Sequence, residues 1–85
     1  MTSFNYIITD EVGIHARPAG MLVKEAKNFG SKLILESNGK KVELTKLMAL
    51  MTLGIKKGDE VTIVAEGDDE EEAILKLEKL FKENL

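Results

Sequence analysis

The sequence predicts an α+β domain in which three helices cover one face of a four-stranded, mainly antiparallel sheet. Apolar residues recur with a period of two over 3–9 and 60–66 and at three- to four-residue steps in three other segments, and two further short strands are marked by the turn between them. The two kinds of segment interleave in the order β-α-β-β-α-β-α, and the central strands flank Asn38-Gly39, a dipeptide that tolerates the positive φ angles of a two-residue hairpin. Of 85 residues, 44% are hydrophobic and 32% charged, which supplies one core and leaves too little chain for a second domain. Residues 1–85 are therefore expected to form a single open layer, with helices on one side of the sheet only.

Each element has its own local reason. Phe4, Tyr6 and Ile8 alternate with Asn5, Ile7 and Thr9, which predicts a strand over 3–9, with a blurred register because both faces are partly apolar. Residues 10–14 contain Gly13 and read as a loop. Ala19, Leu22, Val23, Ala26 and Phe29 then form one stripe of a helix, with Arg17, Lys24 and Lys27 on another side. Pro18 suits the first turn, where its missing N–H has no helical partner to lose, and Gly30 is the expected stop. His15 thus stands at the entrance of a helix running to about residue 28. Strands over 33–37 and 41–44 follow, then a two-turn helix over 46–53 marked by Leu47, Leu50 and Met51 and closed by Gly54. Lys57-Gly58-Asp59 is a turn. Val61, Ile63 and Ala65 alternate with Thr62 and Val64 in a strand over 60–66. Asp69 and Glu72 have capping-box spacing at the start of a last helix whose stripe is Ala73, Ile74, Leu77, Leu80 and Phe81, ending near residue 83.

Composition excludes several functions. There is no cysteine, hence no disulfide, no thiolate zinc site and no thiol nucleophile, and a single histidine forbids a multi-histidine metal site. No metal and no cofactor are expected. Net charge is −3, but residues 68–85 carry −4 and residues 1–67 carry +1, so the acidity belongs to the last helix. A nucleic-acid binder would normally be frankly basic and would show exposed aromatics among its cations, whereas this chain has three Phe and one Tyr. No apolar run approaches the roughly 20 residues of a membrane helix, and residues 1–10 lack a signal-peptide pattern. A cytoplasmic monomer without membrane insertion is the expectation.

Chemistry concentrates in Gly13-Ile14-His15-Ala16-Arg17-Pro18. A histidine just before a helix lies beside backbone N–H groups without helical partners and at the positive end of the helix dipole, so an anion on its ring is stabilised there. Arg17 adds a planar fork of donors suited to phosphate oxygens. Imidazole is also a nucleophile that is partly unprotonated near neutral pH. These parts suit reversible carriage of a phosphoryl group. The competing reading of a lone histidine at a helix start is an ordinary capping or surface residue.

Gly13-Ile14-His15-Ala16-Arg17-Pro18-Ala19 closely resembles the phosphohistidine signature of the HPr family, the histidine-containing phosphocarriers of the bacterial sugar phosphotransferase system. The resemblance continues through Asn38-Gly39-Lys40, Leu47-Met48, Met51-Thr52-Leu53-Gly54 and Ala65-Glu66-Gly67, and so spans essentially the whole chain. It implies an open-faced β-sandwich. It also implies that His15 accepts a phosphoryl group at Nδ1 from phosphorylated enzyme I and passes it to the enzyme IIA domains of sugar permeases. Arg17 would neutralise phosphate charge, and the Ala16 and Arg17 amides would hold its oxygens. Such a protein is an intermediate in a relay rather than an enzyme acting alone.

The resemblance further implies a partner-docking face made of Gly20 and Met21 on the first helix with Leu47, Met48 and Met51 on the second. Methionines suit a surface that meets several partners, because their flexible side chains repack. Lys24, Lys27 and Lys46 are candidates for a basic rim. The plain alternatives are that Leu47 and Met51 are core and that the lysines are merely solvated. One departure stands out: where many relatives have a basic residue followed by a kinase-modified serine, this chain has Thr45-Lys46. Serine-type regulation is therefore expected to be absent, with Thr45 and Thr52 as the remaining hydroxyls. A regulatory binding module using the same face is the alternative function.

Overall fold

Alternation along the strands sorts two faces of a sheet. The computed structural model describes residues 1–85 and contains strands β1 (Thr2–Ile7), β2 (Lys32–Ser37), β3 (Lys40–Glu43) and β4 (Glu60–Glu66) with helices α1 (Ala16–Ala26), α2 (Leu47–Met51) and α3 (Glu70–Asn84). The sheet order is β1-β4-β2-β3, and every pairing is antiparallel, where the sequence promised only a mainly antiparallel sheet. The register sets Phe4 beside Ile63, Ile63 beside Leu35 and Leu35 beside Val42, one rung across all four strands. Neighbouring rungs on the same face carry Val61, Ala65 and Leu33, all buried. This face is covered by the helices, giving the open-faced sandwich; the opposite face carries Asn5, Thr62, Glu36 and Lys41 in one row.

The helical stripes close that core. Ala19, Leu22, Val23 and Ala26 of α1 and Ala73, Ile74, Leu77 and Phe81 of α3 are buried, while Phe29 and Leu80 are half-buried at its margin. Phe81 is fully buried, with its ring edge-on to Phe4 and Tyr6 at 5.6 Å from each. The hairpin turns at Asn38 and Gly39, with φ of 53° and 77°. No helix is long and apolar enough to cross a membrane.

The structure corrects several boundaries, each for a reason visible in its hydrogen bonds. β1 ends at Ile7 because the Ile8 N–H turns to the Asp59 carbonyl, and the Thr9 and Asp10 amides both donate to the Leu85 main-chain oxygen. α1 ends two residues early: the Asn28 and Phe29 amides tighten onto the carbonyls three residues back. Gly30 does not take the left-handed conformation expected of a helix stop, and its N–H goes instead to Asp69 Oδ2 at 2.9 Å. α2 is a five-residue helix rather than two full turns, and only Leu50 of it is buried. The capping box is also not formed. Asp69 holds the N-cap position but makes no side-chain cap bond, since its carboxylate is occupied by the α1–β2 turn; Glu70 reaches back instead, accepting the Gly67 N–H at 3.1 Å.

Candidate phosphoryl-accepting site

The loop before α1 fixes its histidine from behind. Gly13 has φ of 79°, and a Cβ there would collide with the backbone of Ile55 and Lys56, so only glycine permits this close approach. The next residue seals the contact: the Ile14 N–H donates to the Ile55 carbonyl at 3.1 Å, and its side chain is buried in the core. His15 then takes the N-cap position with extended backbone, φ −114° and ψ −175°, and its carbonyl accepts the Ala19 N–H at 2.9 Å. Its imidazole makes no capping bond to the helix. The ring is therefore not an ordinary cap. It is free to face solvent, with 41% of the side chain exposed.

Around it lies a pocket of about 280 Å³ lined by Asp10, His15, Arg17, Met21, Glu83 and Asn84, with Pro18 as part of its wall. Arg17 is exposed and forms no ion pair. The amides of Ala16 and Arg17 open α1, upstream of the first residue that can bond within the helix, and Pro18 removes the next donor. Positive potential, two backbone donors and a guanidinium thus lie within the first turn beside a nucleophilic ring. A larger hollow of about 410 Å³ lies on the uncovered sheet face; it is lined by aliphatic residues with Lys32, Glu43 and the Lys41–Glu36 pair, and no imidazole or helix N-terminus faces it. The His15 pocket joins an imidazole to a guanidinium at a helix N-terminus.

α1 and α2 pack against each other, and they leave apolar surface uncovered. Met21 is 36% exposed and lines the His15 pocket, while Leu47, Met48 and Met51 are 39, 71 and 37% exposed on α2. Leu47 and Met51 are not core residues; the core contact of α2 is Leu50. Gly20 is half-buried. Lys24 is exposed and lines a groove with Met21, Glu25, Asn28 and Leu80, and Lys46 is the exposed N-cap of α2. Lys27 is the C-cap of α1, about 18 Å along the helix axis from His15 at 1.5 Å per residue. It lies farther along α1 from the ring than Lys24, which is nine residues after His15.

Three pocket residues were not among those singled out in the sequence. Asp10 brings Oδ2 to 3.7 Å from His15 Nε2, and Glu83 and Asn84 arrive from the far end of α3. Asp10 was legible in principle, as a carboxylate in the short loop leading to the histidine. Glu83 and Asn84 carried no such signal, because they meet the pocket only once α3 has docked beside α1.

Known proteins resemble the chain over nearly its full length. The family model described as the PTS HPr component phosphorylation site matches residues 2–83. The phosphocarrier protein HPr of Mycoplasma capricolum is 47% identical over 74 residues, covering 87% of this chain and 83% of that protein. Among solved structures, a mycoplasma histidine-containing phosphocarrier protein superposes with a TM-score of 0.94 at 41% identity, covering 96% of this chain and 93% of that one. The HPr dimer of Thermoanaerobacter tengcongensis gives a TM-score of 0.78 at 41% identity, covering 98 and 95%.

Proposed function

The chain belongs to the HPr family of phosphocarriers of the phosphotransferase system, and on that premise we propose that His15 is its phosphoryl acceptor. The observation that carries this reading is a half-exposed imidazole at the N-terminus of α1 that caps nothing and shares its pocket with Arg17. Nδ1 attacks phosphorus in line as the bond between phosphorus and the donor breaks, and the donor keeps that electron pair. The Ala16 and Arg17 amides and the Arg17 guanidinium receive the phosphoryl oxygens. Positioning and charge stabilisation are all the carrier supplies, because each partner closes over the reacting centre. Phosphorylated enzyme I is the proposed donor and enzyme IIA domains of sugar permeases are the proposed acceptors. Both meet the face bearing Gly20, Met21, Leu47, Met48 and Met51, rimmed by Lys24, Lys46 and, at its distal edge, Lys27.

The test mixes the protein with enzyme I, Mg²⁺ and phosphoenolpyruvate and reads intact mass. One acid-labile phosphoryl group is expected on the wild type and none on His15→Ala. Phosphate persisting on the variant refutes the site, and an unlabelled wild type favours a regulatory binding module instead. That second reading draws on the same uncovered methionines, above all the exposed Met48. Serine-type control is proposed to be absent, since Lys46 occupies the N-cap of α2 and the Thr52 hydroxyl is bonded to the Ala49 carbonyl at 2.8 Å. Phosphate mapped to Thr45 after treatment with HPr kinase and ATP would overturn this. Carriage as a monomer is proposed against the alternative of a dimer such as that of the T. tengcongensis HPr; sedimentation velocity distinguishes the two.

A further inference from the structure

We propose that Asp10 is a positioning residue that keeps the imidazole proton of His15 on Nε2, so that the Nδ1 lone pair faces the incoming phosphorus. The inference rests on the reading of His15 Nδ1 as the acceptor. Asp10 is held at three points: its N–H donates to the Leu85 main-chain oxygen at 2.9 Å, its carbonyl accepts the Gly13 N–H at 3.0 Å, and its Oδ1 accepts the Val12 N–H at 3.1 Å. The second carboxylate oxygen is left to face the ring, with Oδ2 3.7 Å from Nε2. At that distance the contact acts through charge rather than as a closed hydrogen bond, which suffices to bias the proton toward Nε2 in the free protein, and such contacts shorten further when a reacting complex forms. The other charged groups of the pocket are Arg17 from α1 and Glu83 from α3. The neighbouring Glu11 is engaged elsewhere, accepting from Lys57 Nζ at 2.7 Å.

The two ring nitrogens have opposite needs. The nitrogen that attacks must be unprotonated, so the proton must sit on the other, and which one carries it is set by the partner that the other nitrogen meets. A carboxylate oxygen accepts only, so Asp10 favours Nε2–H. As the Nδ1–P bond forms and the donor's bond to phosphorus breaks, Nε2 retains its proton and the ring becomes cationic. When the phosphoryl group moves on, the Nδ1–P electron pair returns to Nδ1 and the ring is again neutral with its proton on Nε2. No proton is exchanged, and Asp10 stabilises the cation between the two transfers.

Asp10→Asn is a sharp probe. The Val12 N–H holds an acceptor oxygen, so the asparagine carbonyl occupies that side and its NH₂ faces Nε2. A donor there favours a lone pair on Nε2 and moves the proton to Nδ1. Ring ¹⁵N shifts are measured at a pH well above the ordinary imidazole range for the wild type, Asp10→Asn and Asp10→Ala. The Nε2–H tautomer is expected to predominate in the wild type, to fall in Asp10→Ala and to invert in Asp10→Asn. The rate of phosphoryl acceptance from phosphorylated enzyme I should drop about tenfold or more in Asp10→Asn, as it does when another histidine is held in the wrong tautomer. A tautomer ratio in Asp10→Asn equal to that of the wild type overturns the proposal, as does an inverted ratio with unchanged transfer. A wild type that takes no phosphoryl group defeats the assignment of His15 as acceptor, while the ¹⁵N comparison still reads whether Asp10 sets the tautomer.

Discussion

Arg17 is the side chain at which charge and geometry can be separated. It is exposed, free of ion pairs and in the first turn of α1, so changing it alters the pocket without disturbing the core. Lysine keeps the charge but loses the planar fork that meets two phosphoryl oxygens at once. Arg17→Lys is predicted to slow phosphoryl acceptance by about tenfold, and Arg17→Ala by about a hundredfold, the scale of losing one aligned donor to a developing anion. Rapid-quench measurement of transfer from phosphorylated enzyme I checks both, with melting temperature as the control. Equal rates for the lysine variant and the wild type would mean that net charge, and not donor geometry, is what Arg17 contributes.

The junction of two turns holds the elements in place. The Asp69 carboxylate before α3 accepts the Gly30 and Ser31 amides at 2.9 Å each and also the Ser31 hydroxyl, tying the start of α3 to the turn that follows α1. The Ser31 hydroxyl first and the Gly30 amide second hold its pKa below the ordinary 3.8. A depressed carboxylate contributes stability that is present above its unfolded value and is lost as pH falls below 3.8 through the lower folded value. Asp69→Asn is therefore predicted to melt below the wild type at neutral pH, with the gap closing as the solution is acidified through that window. Gly67 supplies the contrast. Its φ is 154° and a Cβ would press on the Ser31 backbone, so Gly67→Ala strains the same junction sterically and costs about 1–3 kcal/mol regardless of pH. Calorimetry across pH separates them; an acid-independent Asp69→Asn deficit would show that the bonds are not carried by the carboxylate charge. This junction also marks where the sequence stops being legible. Periodicity identified β1, β4 and the three helices, because burial of alternate or third and fourth residues is a local pattern, and the Asn38-Gly39 turn marked β2 and β3; β4 matched to the residue. The misread cap at Asp69 and the unused stop at Gly30 are the two ends of one contact spanning 39 residues, which no local pattern records. The site divides the same way: His15, Arg17, the first-turn amides and, in principle, Asp10 follow from position along one loop and helix, whereas Glu83 and Asn84 depend on how α3 docks beside α1.

At the scale of the molecule, net charge and the charge that a partner meets are different quantities. Residues 68–85 account for the acidity, yet the run of acids from Asp68 to Glu72 opens α3, whose other end lines the His15 pocket. Fifteen helical residues span about 22 Å, more than two screening lengths of about 8 Å at physiological ionic strength. The proposed docking mechanism therefore requires Arg17, Lys24 and Lys46 to outweigh the pocket carboxylates Asp10 and Glu83 in the field a partner meets, on a molecule 34 Å along its longest axis with a net charge of −3. Raising salt from about 0.05 to 0.5 M is predicted to reduce the second-order rate of phosphoryl acceptance about tenfold, leaving the rate at saturating donor nearly unchanged. Lys46→Glu should reduce the second-order rate by about threefold or more at low salt, whereas neutralising the exposed acids in Asp68→Asn, Glu71→Gln, Glu72→Gln together should change it by less than about twofold. The triple variant moves net charge by +3 and the single one by −2, so a mechanism governed by net charge requires the reverse order. Stopped-flow titration against phosphorylated enzyme I discriminates the two. A larger effect from the distant acids than from Lys46 would remove the basic rim from the docking mechanism.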